Sequence, residues 1–469
     1  MNTEELKKLF ELYDNYKNKN LSTERLRHPD IKNNFQLFSG KKIFDIHREG
    51  FSIEERGIFS VTFGRGGTKI LAWSQMHGDE PTATTALFDL LNFFSTNDEF
   101  NGFRNFLLDK ITFCFVPMLN PDGAEKHRRA NQINIDINRD ALKKQTPESQ
   151  ILWMLAEKIK PQFGFNLHDQ NSYYTAGRSG KSAAVSLLAP PVDFDKTVDE
   201  TRLRSMQVIS VINKMLSEYI PGHVARYNDD FEPRAFGDNL TKNKISSILI
   251  ESGFIKNDIN KETIRKLNFV ALVSAFNTIA EESYKSEKAE DYFSIPENES
   301  LLFDLLLKNL SLHSNGKNFT IDIGINREKC FDETTQIFYY KGTIKEAGDL
   351  SIYNGIEEHD LRGFSVECAK IYDKEFYDLS ALREFDFSSL LSKGYGYITI
   401  GNETETNSFF NFPINAIPKY RKFSPAIAVD EYANLLLIKN GKIESVIING
   451  FYQDSAETKI AILNGLVIS

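Results

Sequence analysis

Cysteine is nearly absent from this chain, with three in 469 residues, at positions 114, 330 and 368. No two are close in sequence, and Cys114 lies inside the apolar run ITFCFVPML. That spacing argues against a disulfide framework or a thiolate zinc site and suits a reducing compartment. Positive charge is not in excess either: 56 Lys and Arg stand against 65 Asp and Glu, a formal net charge of -9. A nucleic-acid or anionic-membrane partner needs a basic surface, so neither is expected. No segment approaches the roughly 20 apolar residues of a membrane span. The first stretch, MNTEELKKLFELYDNYKNKN, lacks the apolar core of a secretory signal, so a cytoplasmic protein is expected. Internal repeats and low-complexity tracts are also missing.

What is present is ordinary for a soluble enzyme: 41% hydrophobic and 26% charged residues. The length is too great for one compact core, which predicts two domains or a domain with an appendage. Residues 3–18 have helical spacing, with Leu6, Leu9, Phe10 and Tyr13 on one side. A helical extension is therefore expected over 1–45. From about residue 51 the pattern changes to strands alternating with helices. GIFSVTFGRG, TKILAWSQM, ITFCFVPML, FGFNLH and KISSILIESG read as strands. A helix is predicted from 82 to about 94, and others over SQILWMLAEKI and ETRLRSMQVISVINKMLSEY. Such alternation means an α/β sheet with helices on both faces. The polar stretch YKSEKAEDYFSIPENES marks a boundary, and beyond LLFDLLLKNL, read as the last helical signal, short β patterns take over. Among them NLLLIKNGKIESVIING places Asn-Gly between two apolar runs, a strong hairpin signal.

Ligands gather at the carboxyl ends of strands in open α/β sheets. Three apolar runs end in metal-competent or basic groups: LAWSQM in His77, FGFNL in His168 and SSILI in Glu251. A fourth, ITFCFVPML, ends in Asn-Pro-Asp-Gly. His77 and Glu80 set an imidazole and a carboxylate three residues apart where a strand passes into a helix. Two such donors suit Zn²⁺, and a third from elsewhere leaves a position for water. His168 is the natural third. An H-x-x-E pair alone is more often a surface turn, and a lone histidine more often a hydrogen-bonded core residue. At the ends of strands of one sheet, the metal reading overtakes both. His28, His47, His223, His313 and His359 have no partner at ligand spacing and are read as structural. RRANQINIDINRD adds arginines and asparagines suited to carboxylate and oxyanion binding.

Taken in order, EGFSIEERGIFSVTFGRGGTKILAWSQMHGDEP, NPDG, RRANQINIDINRD, FNLHDQ and ILIESG resemble the zinc carboxypeptidase family of the carboxypeptidase A type, peptidase family M14. The resemblance covers roughly residues 45 to 285, and five motifs in order are far more specific than any one. It implies a three-layer α/β/α catalytic domain around a mixed sheet over 46–285, holding one Zn²⁺. It matches His77, Glu80 and His168 to the metal ligands and Glu251 to the catalytic carboxylate. Arg129 matches the oxyanion-stabilising arginine, and Asn138 with Arg139 the clamp on a substrate's terminal carboxylate. Tyr227 is the nearest candidate for the family's mobile tyrosine. Asn134 stands where the family often has glycine, which fits because asparagine also visits the left-handed region. Asp79 and Asp169 stand where the digestive enzymes carry arginine and serine, which adds negative charge, so subsites beyond the scissile bond are expected to differ from theirs.

The region 300–469 is expected to form a β-rich, β-sandwich-like accessory domain without catalytic residues. The function implied is hydrolysis of the C-terminal bond of a peptide. The alternatives are a zinc deacylase of N-acyl amino acids, like the succinylglutamate desuccinylase and aspartoacylase relatives, and a non-catalytic binding protein on the same fold. The partner is accordingly a peptide or an N-acyl amino acid.

Overall fold

The computed structural model describes residues 3–333, 336–382, 387–402, 414–420, 424–454, 462–463 and 466–467. The chain divides into two compact units, one ending at Ser300 and the other starting at Leu301.

The first unit is built on an eight-stranded mixed sheet. Its strands are β1 (Asp45–Phe51), β2 (Gly57–Gly64), β3 (Thr68–Ser74), β4 (Ile111–Val116), β5 (Phe163–Asp169), β7 (Val185–Leu188), β8 (Val224–Arg226) and β9 (Ser246–Ser252). The two-residue β6 (Thr175–Ala176) pairs apart from it with β10 (Asn298–Glu299). The spatial order is β1-β2-β4-β3-β5-β9-β7-β8. The central strands β4, β3, β5 and β9 run parallel, whereas β1, β2 and β4 are joined antiparallel and β7 runs against β9.

Side chains alternate across a strand, and the two faces meet different helices. Ile70, Ala72, Phe113, Phe115, Phe163 and Phe165 share one core with residues of the helices Thr82–Ser95, Glu200–Tyr219 and Glu262–Glu281. Their neighbours Leu71, Trp73, Cys114 and Val116 pack with residues of the helices Pro147–Ile159 and Phe236–Lys242. The sheet is thus covered on both sides, the three-layer α/β/α arrangement that near-continuous apolar parallel strands require. The helix Thr3–Glu11 is shorter than residues 3–18, and a 3-10 turn follows at Tyr13–Asn15. Leu9, Tyr13 and Tyr16 are buried in the same core as Phe88 and Phe269.

The second unit is β-rich. Its main sheet contains β11 (Leu302–Ser314), β12 (Lys317–Asp332), β13 (Ile337–Gly348), β14 (Asn354–Asp360), β15 (Ser365–Cys368), β19 (Leu435–Lys439), β20 (Lys442–Ile448) and β21 (Phe451–Asp454). A three-stranded parallel sheet holds β16 (Lys370–Phe376), β17 (Tyr395–Ile400) and β18 (Asn415–Pro418). Tyr397 and Ile417 of the small sheet share a buried cluster with Leu436, Val446 and Ile448 of the large one. LLFDLLLKNL is strand β11, not a helix. Leu305, Leu307 and Leu310 belong to one buried cluster and Leu306, on the opposite face, to another. A strand covered on both faces mimics helical spacing, and periodicity alone cannot separate the two. The Asn440-Gly441 hairpin forms as expected between β19 and β20, both turn residues having positive φ. Among the described residues, no helix is long and apolar enough to cross a membrane.

Candidate metal centre

β3 ends at Ser74, and the chain then turns through Gln75 at φ +48° to place His77 beyond the strand. The NPDG segment buttresses this turn. Leu119 and Asn120 donate backbone hydrogen bonds to the Ser74 and Gln75 carbonyls, and the Asn120 side chain donates to the Met76 carbonyl. Gly78 lies so close that a Cβ there would sit 2.0 Å from the Gly123 carbonyl carbon and 2.1 Å from the Ala124 nitrogen. The fourth strand end therefore supports the loop and supplies no ligand. Glu80 follows, and the helix Thr82–Ser95 begins after Pro81.

His77, Glu80 and His168 are all buried, and their donor atoms lie within 4.8 Å of one another. The His77 Nδ1 is 2.7 Å from Glu80 Oε1, and the His168 Nδ1 is 2.8 Å from Glu80 Oε2. The two Nδ1 atoms are 3.1 Å apart. His77 Nε2 lies 3.1 Å from Asp136 Oδ1. An Nε2–H donated to that carboxylate leaves the Nδ1 lone pair aimed at Glu80, the tautomer a metal ligand needs. Two imidazoles and a carboxylate with converging lone pairs are the N/O donor set of a catalytic zinc site, and the residues present fit that ion. Burial works against charge on His77, but Glu80 and Asp136 raise its pKa to about 9. Burial would likewise raise Glu80, yet the His77 and His168 rings hold it well below the carboxylate range.

Glu251 is the residue registered with His168 across the parallel β5–β9 pair, so both side chains stand on one face of the sheet. It is 9% exposed. Burial, and then the Glu80 charge, push its carboxyl up to about 8. A cation held by the ligands would draw that value down.

Arg129 reaches the same centre. Its Nη1 is 3.1 Å from His77 Nδ1 and 3.4 Å from Glu80 Oε1, while its Nε donates to Asp136 Oδ2 at 3.0 Å. Asp136 thus anchors both His77 and Arg129, and the sequence reading gave it no role. Its only signal was its place two residues before Asn138. Asn138 is committed through its Oδ1, which accepts from the Phe236 backbone at 3.0 Å. Arg139 is partly exposed and faces Glu232 at 3.5 Å. Tyr227 approaches Tyr174, ring centroids 6.3 Å apart, and burial followed by the Glu251 charge raises its hydroxyl pKa. Asn134 has φ +62°, the left-handed conformation its position suggested.

Asp169 is turned away from the donor centre. Next to His168 on a strand, it projects to the opposite face. There it accepts from Thr82 Oγ1 at 2.5 Å and from Lys261 Nζ at 3.1 Å. Its carboxylate is met inside the protein by these two donors.

Residues 40–184 match the family model described as zinc carboxypeptidase. Carboxypeptidase 2 of Trichophyton rubrum is 28% identical over 144 residues, 28% of this chain and 26% of that protein. Carboxypeptidase SOL1 of Arabidopsis thaliana is 34% identical over 65 residues, 14% of this chain and 13% of that protein. The chain spans about a quarter of the length of the Trichophyton rubrum relative. Among solved structures, a metallo-carboxypeptidase from Burkholderia cenocepacia superposes with a TM-score of 0.47 at 14% identity, over 55% of this chain and 70% of that one. A metallo-carboxypeptidase from Pseudomonas aeruginosa gives 0.41 at 17% identity, over 54% and 69%.

Proposed function

We propose that this chain, which belongs to the zinc carboxypeptidase family through residues 40–184, is a zinc metallocarboxypeptidase that hydrolyses the C-terminal bond of peptides. The observation that carries the reading is the pairing of Glu251 with His168. It sets a buried carboxylate, from outside the matched residues, beside three converging metal donors.

His77, Glu80 and His168 would hold one zinc. When bound, the ion supplies Lewis acidity for polarising the scissile carbonyl and acidifying water. Glu251 takes the proton from the attacking water and returns it to the leaving amine. Arg129 presents Nη1 toward the centre and stabilises negative charge developing on the carbonyl oxygen. Asp136 keeps the His77 ring and the Arg129 fork oriented. Arg139 and Asn138 receive the terminal carboxylate, a planar anion that a guanidinium meets with two parallel bonds. Tyr227, its hydroxyl kept protonated by burial, would contact the substrate. The test is turnover of a dipeptide with a free C-terminus against its amide, with N-acetyl- and N-succinyl-amino acids as controls. Hydrolysis confined to the free acid is expected. Hydrolysis confined to the acyl amino acids would overturn the reading in favour of a deacylase.

A further inference from the structure

On the other face of the sheet from the donor centre, one lysine joins two of the strands that carry the site. Registered residues of neighbouring strands share a face, and the next pair along lies on the opposite one. His168 and Glu251 form one such pair, and Asp169 and Ser252 form the next. Lys261 Nζ donates to Asp169 Oδ2 at 3.1 Å and to the Ser252 carbonyl at 3.1 Å. The residue after the metal-ligand candidate and the residue after the base candidate are thus held by a single ammonium. Asp169 Oδ2 also accepts from Thr82 Oγ1 at 2.5 Å. Thr82 opens the helix Thr82–Ser95, just beyond Glu80 and Pro81. These hydrogen bonds tie together the segments that present Glu80, His168 and Glu251.

The lysine is itself well anchored. Lys261 caps the start of the helix Glu262–Glu281 with φ +52°, and its carbonyl accepts from the Arg265 backbone. A long side chain takes that left-handed conformation only where the surrounding contacts outweigh its cost. The same helix donates from Asn268 Nδ2 to the Ser252 hydroxyl at 2.9 Å, so it holds the end of β9 at two points. Asp169 has less support. Its Oδ1 is buried with no partner among the described residues, so its hold on Thr82 and on Lys261 passes through one oxygen.

A partly buried ion pair such as Asp169 with Lys261 is weak evidence for stability, because desolvation offsets its Coulomb energy. Its placement suits another service. A metal site needs its groups held to within about 0.5 Å by the residues around them. None of these hydrogen bonds is made to the Glu80, His168 or Glu251 side chains, yet each is made beside one of them.

We propose that Thr82, Asp169 and Lys261 are positioning residues, a clip that fixes the spacing of the zinc donors and of Glu251 from behind the sheet. They touch neither the ion nor the substrate. Thr82 and Asp169 set Glu80 against His168, and Lys261 sets both strands against each other. The inference rests on the zinc reading of the site.

The experiment measures zinc affinity by chelator competition, the visible spectrum of the cobalt-substituted protein, and kcat and KM on a free-acid dipeptide, with the melting temperature alongside. Lys261→Met alone strands a buried carboxylate, so it is combined with Asp169→Asn. Thr82→Val keeps the shape of the helix start, removes one hydrogen bond, and decides the matter alone should the double variant not fold. The double variant is expected to bind zinc about 10–100-fold more weakly, the cost of losing an outer partner, with an altered cobalt spectrum and a lower kcat at unchanged KM. Thr82→Val should lose affinity severalfold. Lys261→Arg, which keeps the charge and the donors, should stay close to the parent. Unchanged zinc affinity and cobalt spectrum in the folded variants overturn the clip, whatever the melting temperature does, and leave the zinc reading standing. No zinc bound by the unaltered protein overturns both.

Discussion

Glu251 and His168 are registered partners across the ladder of β5 and β9, a base candidate and a metal-ligand candidate held side by side on two strands. Their relative position is fixed by backbone register and does not depend on a loop. Glu251→Gln should therefore keep the fold and the zinc while losing about 10²–10⁴-fold in turnover, the usual share of a general base. Near-normal kcat on a peptide the unaltered protein cleaves would remove Glu251 from the role.

Gly78 has its place because the NPDG turn presses against it. A methyl group 2.0 Å from the Gly123 carbonyl carbon cannot be accommodated without moving backbone. Gly78→Ala should displace the His77–Glu80 loop, lowering zinc affinity and the melting temperature together. Chelator competition alongside calorimetry checks this, and an unchanged zinc affinity would contradict it.

Far from the centre, Asp89 and Arg265 are both buried and pair fork to fork, at 2.8 Å and 2.6 Å. Tyr13 donates to the same carboxylate at 2.7 Å, as does the Asn18 backbone. The network ties the segment after the first helix to the helices Thr82–Ser95 and Glu262–Glu281. Arg265→Met strands a buried carboxylate, for an expected loss of about 3–5 kcal/mol in urea unfolding. Adding Asp89→Asn should recover part of that loss. A single variant as stable as the parent would show the pair to be dispensable.

Glu148 offers a pH test. It is buried near the start of the helix Pro147–Ile159, with Oε1 unpartnered. Burial raises its carboxyl from 4.5 to about 7. Between those values the folded chain holds a proton that the unfolded chain releases, so its contribution to stability falls as pH rises through the window. Glu148→Gln has no such slope. Its stability relative to the parent should grow between pH 4.5 and pH 8, by up to about 3 kcal/mol. Parallel unfolding midpoints across that range would contradict the assignment.

Much of the sheet was legible because its central strands are short, apolar and bounded by polar or glycine residues. TKILAWS, ITFCFV, FGFNLHD and SSILIES all appear as read. The convergence of His77, Glu80 and His168 was legible for the same reason, since strand ends of one parallel sheet share a rim. Other features lay outside any local pattern. Asp136 carries no signal of its own, because its partners His77 and Arg129 are brought to it by the fold. LLFDLLLKNL deceived by being buried on both sides. The expectation for Asn134 held because a left-handed residue leaves a compositional trace that a face of a strand does not.

The central claim is that His77, Glu80 and His168 together hold one zinc, and its most direct test is zinc stoichiometry and affinity in the unaltered protein and in His168→Ala. The account predicts one equivalent in the former. In the variant it predicts a loss of affinity greater than the roughly 10–100-fold that removing an outer hydrogen-bond partner costs. A full equivalent retained by His168→Ala at unchanged affinity would contradict it.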